Sequence, residues 1–487
     1  MTRDFTPRVL PDEPVRSLDD ADAFGDGLRD ARAVDADTVI DLIDAAGLRG
    51  RGGAGFPVAR KWRTVVANRT ATIPSTVVVN AAEGEPGSFK DRTILRADPY
   101  RVLEGALIAA HAVGADSVII ATKASFTTEV DRLRTAIAEL DAAGWTHPVP
   151  ITLVTGPDEY LFGEETALLE VIDGRPPFPR IAPPYREGVD EVFEHTSDTT
   201  SGSSSAAHVE MAGPGGETVA PPTLAGNVET FANLPGILRN GAEWFRELGT
   251  ADSPGTIVCT VSGDTVRAGV AEFELGTPLR EVLDELGGGA RPDRELVAVL
   301  SGVANPLLPA SAFDTPLSYE AMREAGSGLG AAGFIVFDDS ADLVAVAAGV
   351  ARFLAVESCG QCRHCKDDGL ALAGIMARLA ASAPQARDHE ELATRLDLVA
   401  EGARCNLATQ QQVVVGSIID RYPDLVAAHA EGHAPAASPA PIAELRAVAD
   451  GRAVVEEAQL TKQPDWTHDE VDSGQWPADR LDDHRAH

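Results

Sequence analysis

Apolar positions divide the first third of the chain into helices and strands by their period. From Ala36 onward, Val39, Ile40, Leu42 and Ile43 gather on one helical face, which predicts a helix that stops at Gly47. Three short runs rich in β-branched residues read as buried strands: STVVVN ending at Asn80, SVIIATK ending at Lys123 and PITLVTG ending at Gly156. Between them, PYRVLEGALIAAHAVG and TEVDRLRTAIAELDAAG carry helical spacing. Strands alternating with helices of this length predict βαβ units and a parallel sheet. From about 255, TIVCTVSG, TPLREVLDELGG and ELVAVLSG predict a small α+β module. From Ala341, four amphipathic stretches (ADLVAVAAGVARFLAVES, LALAGIMARLAAS, HEELATRLDLVAEGAR and QQVVVGSIIDRY) predict a small helical bundle. Residues 1–35 lack clear periodicity and read as an extended lead-in. The Ser/Gly/Thr-biased stretch 190–222 reads as a flexible loop or linker. Beyond about 432 a Pro/Ala-rich opening leads into a polar segment with Trp466 and Trp476, read as a disordered extension or a strap over the core.

Length and charge narrow the class. At 487 residues the prior is about three domains. The chain carries 41 basic and 75 acidic side chains, a net charge of −34, and only five of the basic residues are lysines. That balance argues against nucleic-acid backbone as a partner, which needs clustered positive charge. No run of about 18 apolar residues appears, so no membrane insertion is expected. The opening MTRDFTPRVLPDEPVRSLDD is acidic and poor in apolar residues, unlike a signal peptide. Five cysteines in a chain of this length do not make a disulfide framework.

Four of those cysteines crowd together instead. Cys359, Cys362 and Cys365 form C-x2-C-x2-C, and Cys405 follows at a distance. Two-residue spacing lets three thiolates converge from one turn of backbone, and a remote fourth closes the set that a [4Fe–4S] cluster requires. A structural zinc site is the alternative, but it usually takes two separated C-x2-C pairs. Cys259 lies in an apolar strand-like run and reads as core, and His364 as a bystander within the triplet.

Three further segments have the makings of a ligand site. In GLRGRGGAGFP (47–57), glycines let backbone N–H groups approach an anion, although such loops also serve tight packing alone. The loop matches neither the phosphate-binding Gly-Lys-Ser/Thr pattern nor a strand-first dinucleotide fingerprint. NAAEGEPG (80–87) follows a strand at the carboxyl end, where open α/β sheets bind ligands. GEET (163–166) opens a helix, where carboxylates complement the helix dipole whether or not they also meet a ligand.

Together with NVETFANLP (227–235) and ESCGQC (357–362), these motifs resemble, in order and over about 45 to 410, the flavoprotein subunit of respiratory complex I. Its relatives in NAD-linked hydrogenases and formate dehydrogenases share them. The resemblance implies an α/β, Rossmann-like FMN domain over 36–252, a β-grasp SLBB-like domain over 253–331 and a helical iron–sulfur domain over 332–431, followed by an acidic tail. It implies FMN, a [4Fe–4S] cluster and NADH or NADPH as substrate, with electrons leaving to an iron–sulfur protein, a thioredoxin-like [2Fe–2S] subunit or a ferredoxin. It implies a cytoplasmic place, which includes the periphery of a membrane complex. By position it assigns Gly50, Arg51, Gly52, Gly53, Gly55, Phe56, Lys61, Asn80, Glu83, Gly163, Glu164, Tyr185 and Asn227 to the cofactor and nucleotide. Phe56 and Glu165 would face the nicotinamide nucleotide, and Glu85 and Glu165 are the catalytic candidates. Cys359, Cys362, Cys365 and Cys405 would hold the cluster.

The chain departs from the family where nucleotides bind. Ala82 stands for an aspartate, Gly226 for an asparagine and Thr64 for an aromatic residue, and Tyr185 takes the place of a phenylalanine in Pro183-Pro184-Tyr185-Arg186. A missing base–aromatic stack costs about 1–3 kcal/mol. The first reading is therefore an NAD(P)H oxidoreductase subunit with an altered nucleotide pocket. An electron-transfer module with weakened or lost NADH binding is the second, and a non-catalytic structural relative the third.

Overall fold

The computed structural model describes residues 5–21, 23–70, 74–186, 188–189 and 220–464. The three β-branched runs form strands β1 (Ser75–Ala81), β2 (Ala115–Lys123) and β3 (Ile151–Gly156), joined by β4 (Thr223–Asn227). All four pair in parallel in the order β3-β2-β1-β4. The connections from β1 to β2 to β3 step one way along the sheet, whereas β4 sits on the other side of β1. That reversal opens a crevice at the carboxyl ends of β1 and β4, the place where open α/β sheets bind ligands. The helix Pro99–Val113, with Asp98 capping the Arg101 N–H and Pro99 in its first turn, is buried almost throughout. Gly105 lets it lie against the helix Val228–Arg246: a β-carbon there would fall 2.0 Å from the Phe231 carbonyl oxygen.

The predicted α+β module is a five-stranded sheet. Its strands are β5 (Thr256–Gly263), β6 (Gly269–Glu274), β7 (Leu296–Ser301), β8 (Leu308–Pro309) and β9 (Gly333–Asp338), in the order β6-β5-β9-β7-β8. The first and last strands pair in parallel at the centre, the other pairs are antiparallel, and the helix Leu279–Glu285 lies between β6 and β7 in sequence. Cys259 is buried on β5, as its apolar surroundings predicted. The four stretches after Ala341 are the helices Leu343–Glu357, Arg363–Ala380, Asp388–Leu398 and Leu407–Arg421, with Pro423–Ala430 added. Leu343–Glu357 is buried along nearly its whole length, so it is the core of this bundle.

Two stretches depart from the sequence reading. The lead-in is not extended throughout: Asp26–Arg32 is a helix whose Leu28 and Ala31 are buried, and the backbone N–H groups of Arg8, Val9 and Leu10 donate to Glu272 on β6 at 2.8–2.9 Å. The tail is folded as far as it is described. It forms a hairpin of β10 (Leu445–Ala449) and β11 (Arg452–Val455) and a short helix Glu457–Thr461. This strap crosses all three units. Ala440 N donates to Ala345 O in the bundle at 2.8 Å, and Ala268 N, beside β6, donates to Gly451 O at 2.8 Å. Glu444 pairs with Lys123 at the end of β2. Most of the expected flexible loop (190–219) and Trp466 and Trp476 lie outside the described residues.

Candidate functional site

The glycine-dense loop is clamped at both ends. Gly47 closes the preceding helix in the left-handed conformation, and Gly50 N donates to Phe56 O at 2.9 Å. Gly55 also has positive φ, and a β-carbon on it would fall 2.4 Å from the Tyr319 ring, whose hydroxyl donates to Gly50 O at 2.9 Å. Gly52 faces Asn227, with a would-be β-carbon 3.3 Å from the Asn227 β-carbon. Gly53 bridges to Gly330 beyond β8, so the five-stranded module holds the loop from outside. The helix Val58–Asn68 starts at once after Pro57, with Val58 N donating to Leu48 O at 3.0 Å, so its N-terminus lies beside the loop.

Asn80 and Asn227 are register partners at the ends of β1 and β4, side by side in the crevice. The Asn80 amide donates to Gly163 O at 2.8 Å. Asn227 caps the helix Val228–Arg246 by accepting from Glu229 N at 3.0 Å, accepts from Lys90 Nζ at 3.0 Å and donates to Asp91 at 2.7 Å. Behind this pair lies a buried charge cluster in which Lys90 meets Asp91 at 2.7 Å and Glu229 at 2.9 Å. Burial opposes the Lys90 charge, but Asp91, Glu229 and Glu83 outweigh it and raise its pKa. Asp91 is pushed up to about 6, chiefly by burial.

Two residues expected at the cofactor turn the other way. Arg51 is fully buried: its guanidinium donates to Arg49 O and Pro254 O at 3.2 Å and lies 4.0 Å from Glu229, so it braces the loop from beneath. Glu83 accepts from Ser88 Oγ at 2.6 Å and from Asp91 N and Arg92 N at 3.2 and 3.3 Å, so it fastens its own loop to the helix Lys90–Ala97. Both side-chain placements have one cause. Each charged side chain follows or precedes a glycine, and the fold buries it against opposite charge or backbone, not in the crevice.

The acidic helix start faces the same crevice. Glu164 caps the helix Glu165–Ile172 with one oxygen, accepting from Thr166 N and Ala167 N at 2.9 and 2.8 Å, and burial raises its pKa. Glu165, on the first turn, is ion-paired with Lys61, which brings the glycine loop's helix and the GEET motif together. Phe56 is exposed, with the Arg60 guanidinium 5.5 Å from its ring centre. Tyr185 is half-buried against the parallel-sheet core.

Glu85 is half-buried, accepting from Val303 N at 2.6 Å and from the Tyr160 hydroxyl at 2.7 Å; burial raises its pKa. Tyr160 carried no sequence signal beyond its place three residues before GEET. Its backbone N–H donates to Glu357 at 3.0 Å. Glu357, from ESCGQC, is also held by Lys462 of the strap at 3.2 Å.

The four cysteines of the motif ring one small pocket, which Leu161, Pro179, Ser358, Gln361 and Arg404 also line. Cys362 stands at the N-terminus of the helix Arg363–Ala380, Cys365 lies in its first turn, and Cys405 arrives from the loop before Leu407–Arg421. Burial pushes the Cys365 thiol up to about 11 and Cys405 up to about 12. Among the described residues no three His, Cys, Asp or Glu side chains are drawn together as around a single ion. The sulfurs instead surround a common space, and a donor set of four thiols around one centre fits a [4Fe–4S] core. His364 is turned away, 2.7 Å from Asp368, which also pairs with Arg395. At the flavin side, the paired asparagines, the Gly52 cradle and the helix start at Val58 fit a phosphate-bearing flavin nucleotide.

Comparison with known proteins gives a consistent answer. The model of the Nuo51 FMN-binding domain matches residues 43–235, and that of the NADH-ubiquinone oxidoreductase-F iron-sulfur binding region matches 345–429. The second of the NADH-quinone oxidoreductase F subunits of Rhizobium meliloti (strain 1021) is 33% identical over 365 residues, covering 73% of this chain and 80% of that protein. The NADH-quinone oxidoreductase F subunit of Mycobacterium tuberculosis (strain ATCC 25618 / H37Rv) is 33% identical over 415 residues, covering 83% and 87%. The crystal structure of an NAD+-reducing [NiFe]-hydrogenase in the H2-reduced state superposes with a TM-score of 0.72 at 30% identity, over 87% of this chain and 67% of that one.

Proposed function

The chain belongs to the family of NADH-quinone oxidoreductase F subunits, and from that premise we propose how its residues divide the work. It is an NADH dehydrogenase-type oxidoreductase that uses FMN and a [4Fe–4S] cluster. Bound FMN supplies the conversion of a two-electron donor into single electrons. Gly50, Gly52, Gly53, Asn80 and Asn227 hold the flavin nucleotide at the crevice. Lys61 and Glu165 fix the entrance on the nicotinamide side, and Phe56 offers an exposed ring for stacking. Glu85, through Tyr160, positions the wall between the two cofactors. Arg51 and Glu83 position backbone without touching the cofactor. The order of the five-stranded sheet and its central parallel pair support an SLBB-like β-grasp module, and the five helices after Leu343 an iron–sulfur bundle.

One observation carries this division. The segment Tyr160–Glu165 serves both sites: Leu161 lines the cysteine pocket, Gly163 accepts from Asn80, and Glu164 and Glu165 face the crevice. A single turn of chain therefore separates flavin from cluster. The acceptor is an iron–sulfur protein, a thioredoxin-like [2Fe–2S] subunit or a ferredoxin, within a complex. No helix among the described residues is long and apolar enough to cross a membrane.

Anaerobically purified protein should carry flavin and iron, and NADH should bleach the flavin and bring up the EPR signal of a reduced cluster. A flavin that dithionite reduces but NADH and NADPH do not would favour the pure electron-transfer module, the reading that Thr64 and Ala82 motivate. Stoichiometric zinc without iron would overturn the assignment.

A further inference from the structure

We propose that Lys366 tunes the cluster's midpoint potential as a fixed buried cation, an inference that rests on the cofactor assignment above. Lys366 follows Cys365 directly, in the first turn of the helix Arg363–Ala380, and its side chain is fully buried. Its ammonium donates to Ser358 O at 2.8 Å and to Ala355 O at 3.3 Å. Those bonds fold it back beneath the loop whose next residue is Cys359. One cation thereby sits under two ligands of the pocket, and its charge acts on both Cys359 and Cys365.

Electrostatics gives the direction. An iron–sulfur core with four thiolates is anionic and gains one further negative charge when it takes up an electron. A fixed cation favours the more negative form, so it raises the potential, and net charge and surroundings are what set such potentials. The effect is larger in the protein interior than in water. The other basic groups at this end are placed differently. Arg363 is largely exposed and paired with Asp367, and Arg404 is exposed, so solvent and salt screen both. A lysine suits the position because a compact ammonium on a flexible stem reaches the two carbonyls.

The test is a potentiometric titration of the whole protein followed by the EPR signal of the reduced cluster. Lys366→Met should load iron and sulfide normally yet shift the midpoint to a more negative value, whereas Lys366→Arg should stay near wild type. Arg363→Gln, which removes an exposed charge at the same helix end, should leave the midpoint in place. If Lys366→Met does not assemble, Lys366→Gln keeps a donor toward Ser358 O without the charge and should show the same negative shift. A charge-removing variant with a full cluster and an unshifted midpoint would overturn the proposal. Wild-type protein with neither iron nor an EPR signal would instead overturn the cofactor assignment on which it rests.

Discussion

Glu85 places a half-buried carboxyl group in the wall between the two proposed cofactor sites. Burial lifts its pKa above the ordinary 4.5, and the bonds from Tyr160 and Val303 offset only part of that rise. The folded protein therefore keeps this proton at pH values where the unfolded chain has released it. Stability that depends on the neutral carboxyl is complete below about pH 4.5 and is lost as pH rises through the folded value. Glu85→Gln keeps a neutral group of the same shape. The Tyr160 hydroxyl can accept from the new amide while turning its own proton to Gln410 Oε1, 3.3 Å away. The variant should gain on wild type as pH rises through that window, then keep a constant advantage. Urea midpoints from about pH 4 to about pH 8 check this, and a pH-independent difference would show that Glu85 titrates alike in both states. At this scale the sequence exposes motif membership but not side-chain direction. Glu83 and Glu85 are two residues apart in one motif, yet one fastens a helix start and the other meets Tyr160, 75 residues away. Lys90 and Asp91 lie just beyond that motif, and only the Asn80–Asn227 register shows that they brace the crevice.

Strands and helices with a clear period were legible. The elements that escaped carry few large apolar residues or a signal of another kind. In Asp26–Arg32 the buried face is Gly27, Leu28 and Ala31, too small to show as a stripe, and the helix is tied down by Leu28 N donating to Glu104 at 3.0 Å. The β10–β11 hairpin did carry a signal, Asp450-Gly451, the Asp-Gly pair of a two-residue turn. Both residues have positive φ, 51° and 73°, as a type I′ turn requires. Its flanking strands are short and only weakly alternating, so the turn was masked by the Pro/Ala-rich approach. The strap's firmest anchor is the Lys123–Glu444 pair, with Lys123 fully buried. Glu444→Ala should cost about 3–5 kcal/mol, because it strands that ammonium, whereas Lys123→Met with Glu444→Leu should cost much less. Denaturant unfolding of the two single variants and the double variant measures the coupling. A Glu444→Ala cost within about 0.5 kcal/mol of zero would show that the strap is held by its backbone bonds instead.

Across the whole molecule, charge is divided between two tasks. The excess of acidic residues gives −34, yet all five lysines are engaged around the proposed sites: Lys61 with Glu165, Lys90 with Asp91 and Glu229, Lys123 with Glu444, Lys366 with the cluster loop and Lys462 with Glu357 and Glu159. Exposed cationic duty falls to arginine, as in Arg63 with Asp41 and Asp44 or Arg280 with Asp314. Salt acts on these two populations unequally. Buried pairs such as Lys90–Glu229 are screened little, whereas the unpaired surface carboxylates repel one another over a Debye length that shrinks from about 30 Å at 0.01 M salt to about 8 Å at 0.15 M. Self-repulsion of a strongly charged chain opposes the compact state. The thermal midpoint should therefore rise as sodium chloride is raised from about 0.01 M to about 0.15 M, and potassium chloride should match it, because the effect is screening and not specific binding. Calorimetry across that series decides the matter. A midpoint that falls would mean that the surface pairs contribute more than the excess charge costs.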